Sequence, residues 1–110
     1  MSAIRQRLTD AKSRTKKYSK TDITVTAEHL YELFIQQDRK CALTGATLLV
    51  EQNHPLCLSL DQIDPAKGYT VGNVQWLAWA VNRAKGDLST ADFYDMCEVI
   101  MSNRKVQRLS

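Results

Sequence analysis

Ser59-Leu60-Asp61-Gln62-Ile63-Asp64-Pro65-Ala66-Lys67-Gly68-Tyr69-Thr70-Val71-Gly72-Asn73-Val74-Gln75-Trp76, continued by Val81-Asn82-Arg83-Ala84-Lys85, is the stretch around which the chain is organised. It reads as an apolar strand with two embedded carboxylates, a loop punctuated by Pro65, Gly68 and Gly72, and a helix carrying two asparagines. A strand, a loop and a helix in that order can return Asn82 against Asp61. Both side chains offer hard oxygen donors, which suit Mg²⁺ or a similar divalent ion. A carboxylate inside Leu58-Ser59-Leu60-Asp61-Gln62-Ile63 is costly to bury without a partner. Asn82 is a poor helix former in mid-helix. Metal ligation supplies a reason for both. Asp64 before Pro65 is also a common way to start a turn, and Asn73 has the chemistry of a helix cap.

Working outward, Leu56 to Ile63 and Thr47 to Val50 are predicted to be the two strands of a hairpin, joined by Glu51 to Pro55. Asn73 to about Lys85 is predicted as a helix, closed by Gly86. Ser89 with Asp92 three residues on resembles a capping box. It opens a last helix to about Asn103, with Phe93, Met96, Cys97, Ile100 and Met101 expected to face inward. Toward the N-terminus, Thr26 is a candidate N-cap for a helix from Ala27 to about Gln37, whose apolar positions are Ala27, Leu30, Tyr31 and Phe34. His29 in its first turn reads as a surface or packing residue. Ile23-Thr24-Val25 is a short extended piece, and Lys16 to Thr21 a turn or linker. Residues 3–17 form a basic helix with a narrow apolar stripe of Ile4, Leu8 and Ala11. The fold class is α+β, one domain, with residues 1–20 as a basic helical arm on a body of residues 21–110.

The net charge of +3 conceals an asymmetry. Residues 1–20 hold seven basic side chains against Asp10 alone, so the remaining ninety residues carry a net negative charge. A basic end on a mildly acidic body fits a polyanionic partner, nucleic acid before membrane. A solvated basic tail is the plainer reading of the same charges, and a helix docking an acidic protein a third. No apolar run is long enough to span a membrane and the N-terminus lacks the apolar core of a signal peptide, so a cytoplasmic location is expected. Cys41, Cys57 and Cys97 are odd in number, widely spaced and without a CxxC pair, and are read as reduced, Cys57 and Cys97 as buried apolar side chains.

In order and spacing, Asp61-Gln62-Ile63, Gly68, Asn73, Asn82 and Lys85 resemble the HNH endonuclease family, whose ββα-metal unit runs Asp-His-Ile, a Gly-containing loop, Asn, and a later His or Asn on a helix. Cys41-Ala42-Leu43-Thr44-Gly45, Val81 to Leu88 and the basic first helix look like a subgroup of that family common in phage and bacterial genomes. The resemblance implies a metal-dependent hydrolase of DNA phosphodiester bonds, nicking one strand at a time as monomer or homodimer. Asp61 and Asn82 are then the Mg²⁺ or Mn²⁺ ligands, with Asp64 nearby as a possible third. Asn73 ties the loop to the strand. Arg5, Arg7, Lys12, Arg14, Lys16, Lys17, Arg83 and Lys85 are the expected phosphate contacts, giving affinity without sequence reading.

Two departures qualify the resemblance. Gln62 stands where the family has its water-polarising His, and an amide is no base near neutral pH. Asp64, His54, metal-activated water without a protein base, or a fold that binds nucleic acid and has lost cleavage are the alternatives. The second departure is at the cysteine pairs with which many family members hold zinc. Thr44 follows Cys41 where the first pair would be completed, and Ala78 and Val81 occupy the second. No four-ligand set remains, so no structural zinc is expected, and packing by Trp76, Leu77, Trp79 and Val81 is expected to replace it. Tyr69 and Trp79 are read as packing residues.

Overall fold

Two five-residue strands, Leu58–Gln62 (β1) and Val74–Ala78 (β2), pair antiparallel with Leu60 opposite Trp76 and Asp61 opposite Gln75. The computed structural model that shows them describes residues 1–18 and 23–109, and among these the side chains of all but 15–18 and 109. Four helices surround the strand pair, giving an α+β fold: α1 Ser2–Tyr18, α2 Ala27–Gln36, α3 Trp79–Lys85 and α4 Thr90–Leu109. No helix among the described residues is long and apolar enough to cross a membrane.

The partner of β1 differs from the sequence expectation. Thr47 to Val50 is not a hairpin strand; Thr47 and Leu49 make only isolated bridges, to Lys40 and Cys57. The partner is Val74–Ala78, which had been expected as the first turns of a helix. All five of its residues are buried, so the run shows neither a period of two nor one of 3.6. Length and composition decide such cases, and Val, Trp and Leu in a short run suit a strand. The helix therefore starts at Trp79 and holds only seven residues.

The outer edge of β2 is closed by a side chain. Gln37 Nε2 donates to the Trp76 carbonyl at 2.9 Å, and Gln37 Oε1 accepts from the Trp76 N–H at 2.9 Å. An amide side chain here takes the place of a third strand and leaves no open edge at this residue. Trp76 is fully buried; its indole N–H donates to the Leu30 carbonyl at 2.9 Å and its ring meets Phe34 edge-on at 6.4 Å.

Thr26 caps α2 as expected. Its hydroxyl accepts from the His29 N–H, and His29 Nδ1 accepts from the Thr26 N–H, a reciprocal pair in which His takes the place usually held by Glu or Gln. The stripe of Ile4, Leu8 and Ala11 is buried in one core with Leu30, Leu58, Leu60, Trp76 and Leu77, which makes α1 an integral layer of the fold. The helix reaches Tyr18, further than the expected turn at Lys16; the rest of that linker, residues 19–21, lies outside the described residues.

The last helix departs further. It runs to Leu109, and of the residues expected to face inward only Phe93 and Cys97 are half-buried, while Met96, Ile100 and Met101 are exposed. Cys57 is buried, and all three cysteines are free thiols.

Candidate functional site

The loop between the strands is held shut by Asn73. Its Nδ2 donates to the carbonyls of Asp64 (2.9 Å) and Gly68 (2.6 Å), and its Oδ1 accepts from the Asp64 N–H at 3.0 Å. Gly68 sits at φ 75°, ψ −172°, a backbone that a side chain disfavours, so its carbonyl can turn back to Asn73. Asp64 caps the 3₁₀ turn Pro65–Lys67, its Oδ1 accepting from the Ala66 N–H at 3.0 Å. Tyr69 is buried; its carbonyl accepts from the N–H groups of Thr24 and Val25 and its hydroxyl from Arg14 at 3.1 Å.

With the loop closed, residues of β1, α3 and α1 line an open groove of about 1030 Å³. Asp61, Gln62, Asn82, Arg83 and Trp79 line it together with Arg7, Arg14 and His54. Asp61 and Asn82, far apart in sequence, thus share one groove. Asp64 and Asn73 do not line the groove, and neither do Arg5, Lys12 or Lys85. Arg5 instead stands 4.0 Å from Glu28 of α2 on the exposed surface. Arg7 is partly engaged in the fold, donating to the Leu58 carbonyl at 3.0 Å and to Cys57 Sγ at 3.1 Å. The side chains of Lys16 and Lys17 lie outside the described residues.

Lys85 is where the sequence expectation and the geometry differ most. Expected on the surface as a phosphate contact, its side chain is 0 % exposed. Its ammonium donates to Asp61 Oδ1 and to the Gln62 carbonyl, at 3.1 and 3.0 Å, and lies 3.1 Å from Asp61 Oδ2. Gln75, the cross-strand partner of Asp61, donates a further hydrogen bond to Oδ2 at 2.9 Å and a second to the Thr90 hydroxyl at 3.0 Å. Burial pushes the Asp61 carboxyl above its usual pKa; the Gln75 and Lys85 interactions oppose the shift without cancelling it. Gln75 and Thr90 were missed in the sequence. The available signal was the register Asp61 opposite Gln75, which exists only once Val74–Ala78 is read as a strand.

Asn82 is oriented by its own amide. Nδ2 donates to Ser59 Oγ at 2.7 Å and to the Leu60 carbonyl at 3.2 Å, which leaves Oδ1 as an acceptor on the groove wall. A carboxylate has about four lone-pair positions. At Asp61, Lys85 and Gln75 engage both oxygens, and the Gln62 backbone N–H adds a further hydrogen bond to the carboxylate. Among the described residues no three or more His, Cys, Asp or Glu side chains gather into a metal cage. Asp61 and Asn82 offer hard oxygen donors, the kind that Mg²⁺ takes; that ion is commonly held by one or two side-chain oxygens with water and phosphate supplying the rest.

His54 sits on the turn before β1, its Nδ1 accepting from the Leu56 N–H at 3.0 Å. In that neutral tautomer the proton is on Nε2, so the free nitrogen is a donor and not a base. Trp79, expected to pack, is 46 % exposed on the groove, with the Arg83 guanidinium 5.2 Å from its ring centre. Near α3, Cys41 is buried. Burial raises its thiol pKa, and hydrogen bonds from the Thr44 hydroxyl and from the backbone at Ala78, Thr44 and Leu43 outweigh this, leaving it lowered.

Comparison of the chain with protein-family models, with curated proteins and with solved structures finds no match in any of the three.

Proposed function

We propose that the chain is a metal-dependent endonuclease of the HNH type that hydrolyses DNA phosphodiester bonds, nicking one strand and acting in the cytoplasm. The observation that carries this reading is that Asp61 and Asn82 line one groove together with Arg7, Arg14 and Arg83. The order β1, closed loop, β2, α3 supports it, because it is the order of a ββα-metal unit.

In this reading the Asp61 carboxylate and the Asn82 amide oxygen would hold Mg²⁺ or Mn²⁺, which when bound would supply charge stabilisation to the phosphate and the leaving oxygen. The residues of the chain do the rest. Arg14 and Arg83 grip flanking phosphates through charge-assisted hydrogen bonds. Ser59 and the Leu60 carbonyl fix the Asn82 amide, and Lys85 and Gln75 fix the Asp61 carboxylate, so neither group must reorder when substrate arrives. His54 Nε2–H is a hydrogen-bond donor in this tautomer and does not abstract a proton. Gln62 orients water without accepting its proton.

A second reading is a nucleic-acid-binding protein on the same fold that does not cut. The buried pairing of Asp61 with Lys85 favours it, because the charge of the carboxylate is already balanced from within. Plasmid nicking with and without Mg²⁺ or Mn²⁺ separates the two. The natural chain is compared with Asn82→Ala, which keeps the Asp61–Lys85 pair. Metal-dependent nicking lost in Asn82→Ala supports the endonuclease. Salt-sensitive DNA binding without nicking by the folded natural chain overturns it in favour of the second reading.

A further inference from the structure

Helix α4 carries apolar residues, Met96, Val99 and Ile100, that are exposed among the described residues. Phe93 and Cys97 are half-buried where the helix leaves the domain, but every residue from Glu98 to Arg108 is exposed. Val99 is 68 % open and Ile100 58 %, with Met96 exposed one turn before them. Asp92, Met96, Val99 and Asn103 follow one another at steps of four, three and four, so they lie along one stripe of the helix. Val99 lies on this stripe, and Ile100, one turn after Met96, borders it at the centre of the helix.

Charge is divided about that centre. Asp92, Asp95 and Glu98 precede Ile100, whereas Arg104, Lys105 and Arg108 follow it. A helix with an acidic first half and a basic second half is its own complement when reversed. Laid parallel, two such helices set like charge against like; laid antiparallel, each acidic half meets a basic one. A two-fold axis between residues 99 and 100 satisfies both patterns together. It sets Val99 on Ile100 of the partner subunit, Met96 beside the partner's Asn103, and Asp95 against the partner's Arg104.

We propose that α4 is a self-association surface on which a second copy of this chain docks, antiparallel, about an axis between Val99 and Ile100. The contact is isologous, so it closes after two chains and leaves no open end for a fibre. It lies on a different part of the chain from the groove and does not rest on the nuclease reading.

Sedimentation of the full chain over a range of concentrations tests it. The expected species has twice the 12.5 kDa mass of one chain. Ile100→Glu, at an exposed position where folding is not at stake, is expected to weaken the dimer by about tenfold or more. Asp95→Arg and Arg104→Asp are each expected to weaken it, and the two combined in one chain to restore it, because the swapped charges again meet their opposites. A single-chain mass at every concentration overturns the proposal. So does a dimer indifferent to Ile100→Glu, or a double swap no tighter than the single ones. Protection of α4 from proteolysis only when DNA is added overturns it too, and assigns the basic half to phosphate instead.

Discussion

Lys85 and Asp61 form an ion pair closed from solvent, with Lys85 Nζ 3.1 Å from each carboxylate oxygen and the side chains 0 % and 5 % exposed. The pair joins the end of α3 to β1 and so sets how the helix returns over the strand. A buried pair of this kind repays its desolvation only through good geometry and further hydrogen bonds, here from Gln75 and to the Gln62 carbonyl. Removing one partner leaves the other charge stranded. Lys85→Met is therefore expected to destabilise the protein by about 3–5 kcal/mol. Lys85→Met with Asp61→Leu is expected to recover more than half of that. Urea denaturation of the single and double variants gives both values, and a double variant as unstable as the single one would refute the account.

The same pair predicts a pH dependence. Burial raises the Asp61 carboxyl pKa from its usual 3.8, so the folded chain holds this proton more tightly than the unfolded chain. The contribution of the group to stability is then full below 3.8 and is lost as pH rises through the folded value. The stability of the natural chain minus that of Asp61→Asn is expected to fall over this window and to level off above it. A difference that grows with pH would show that Lys85 outweighs burial.

Asn73 makes three hydrogen bonds that close the loop onto the end of β1. Asn73→Ala leaves the Asp64 N–H and the carbonyls of Asp64 and Gly68 without these partners, at an expected cost of about 1–3 kcal/mol. Hydrogen exchange is expected to quicken at Asp64 first. Unchanged protection there would mean that Pro65 and the 3₁₀ turn hold the loop without Asn73.

Trp79 stands on the groove with Arg83 over its ring, an arrangement suited to stacking on a nucleobase. Trp79→Ala is expected to leave stability within about 0.5 kcal/mol, as for other exposed positions. If the chain binds DNA as proposed, its affinity is expected to drop by about fivefold to a hundredfold, the range of one base–aromatic stack. Fluorescence titration reads this directly, since the other indole, Trp76, is buried. Equal affinities for the two proteins would return Trp79 to a packing role.

In the proposed endonuclease, Gln62 occupies the position at which a histidine would polarise water. If water activation limits the proposed cleavage, Gln62→His is expected to speed nicking by about tenfold or more, within the usual reach of general-base catalysis. The rate should rise with pH through the imidazole range. A rate no faster than that of the natural chain would indicate that proton abstraction is not the slow step.

Much of the local chemistry could be read without a structure. The Thr26 cap, the buried stripe of Ile4, Leu8 and Ala11, and the strand containing Asp61 rest on interactions within a few residues, or on a period that survives in the sequence. The pattern failed where burial was all-round or absent. Val74–Ala78 is covered on both faces and shows no period, and Val99 and Ile100 in the second half of α4 are apolar yet exposed.

The sequence by itself determined where the oxygen-bearing side chains Asp61, Asn73 and Asn82 and a basic first helix fall along the chain. Only the tertiary structure decided what surrounds them. By every local rule a lysine at a helix C-terminus belongs in solvent. Lys85 is buried because the strand register sets Asp61 on the face that α3 crosses, and a carboxylate there requires a cation. That requirement arises between segments distant in sequence, and no window of neighbouring residues contains it.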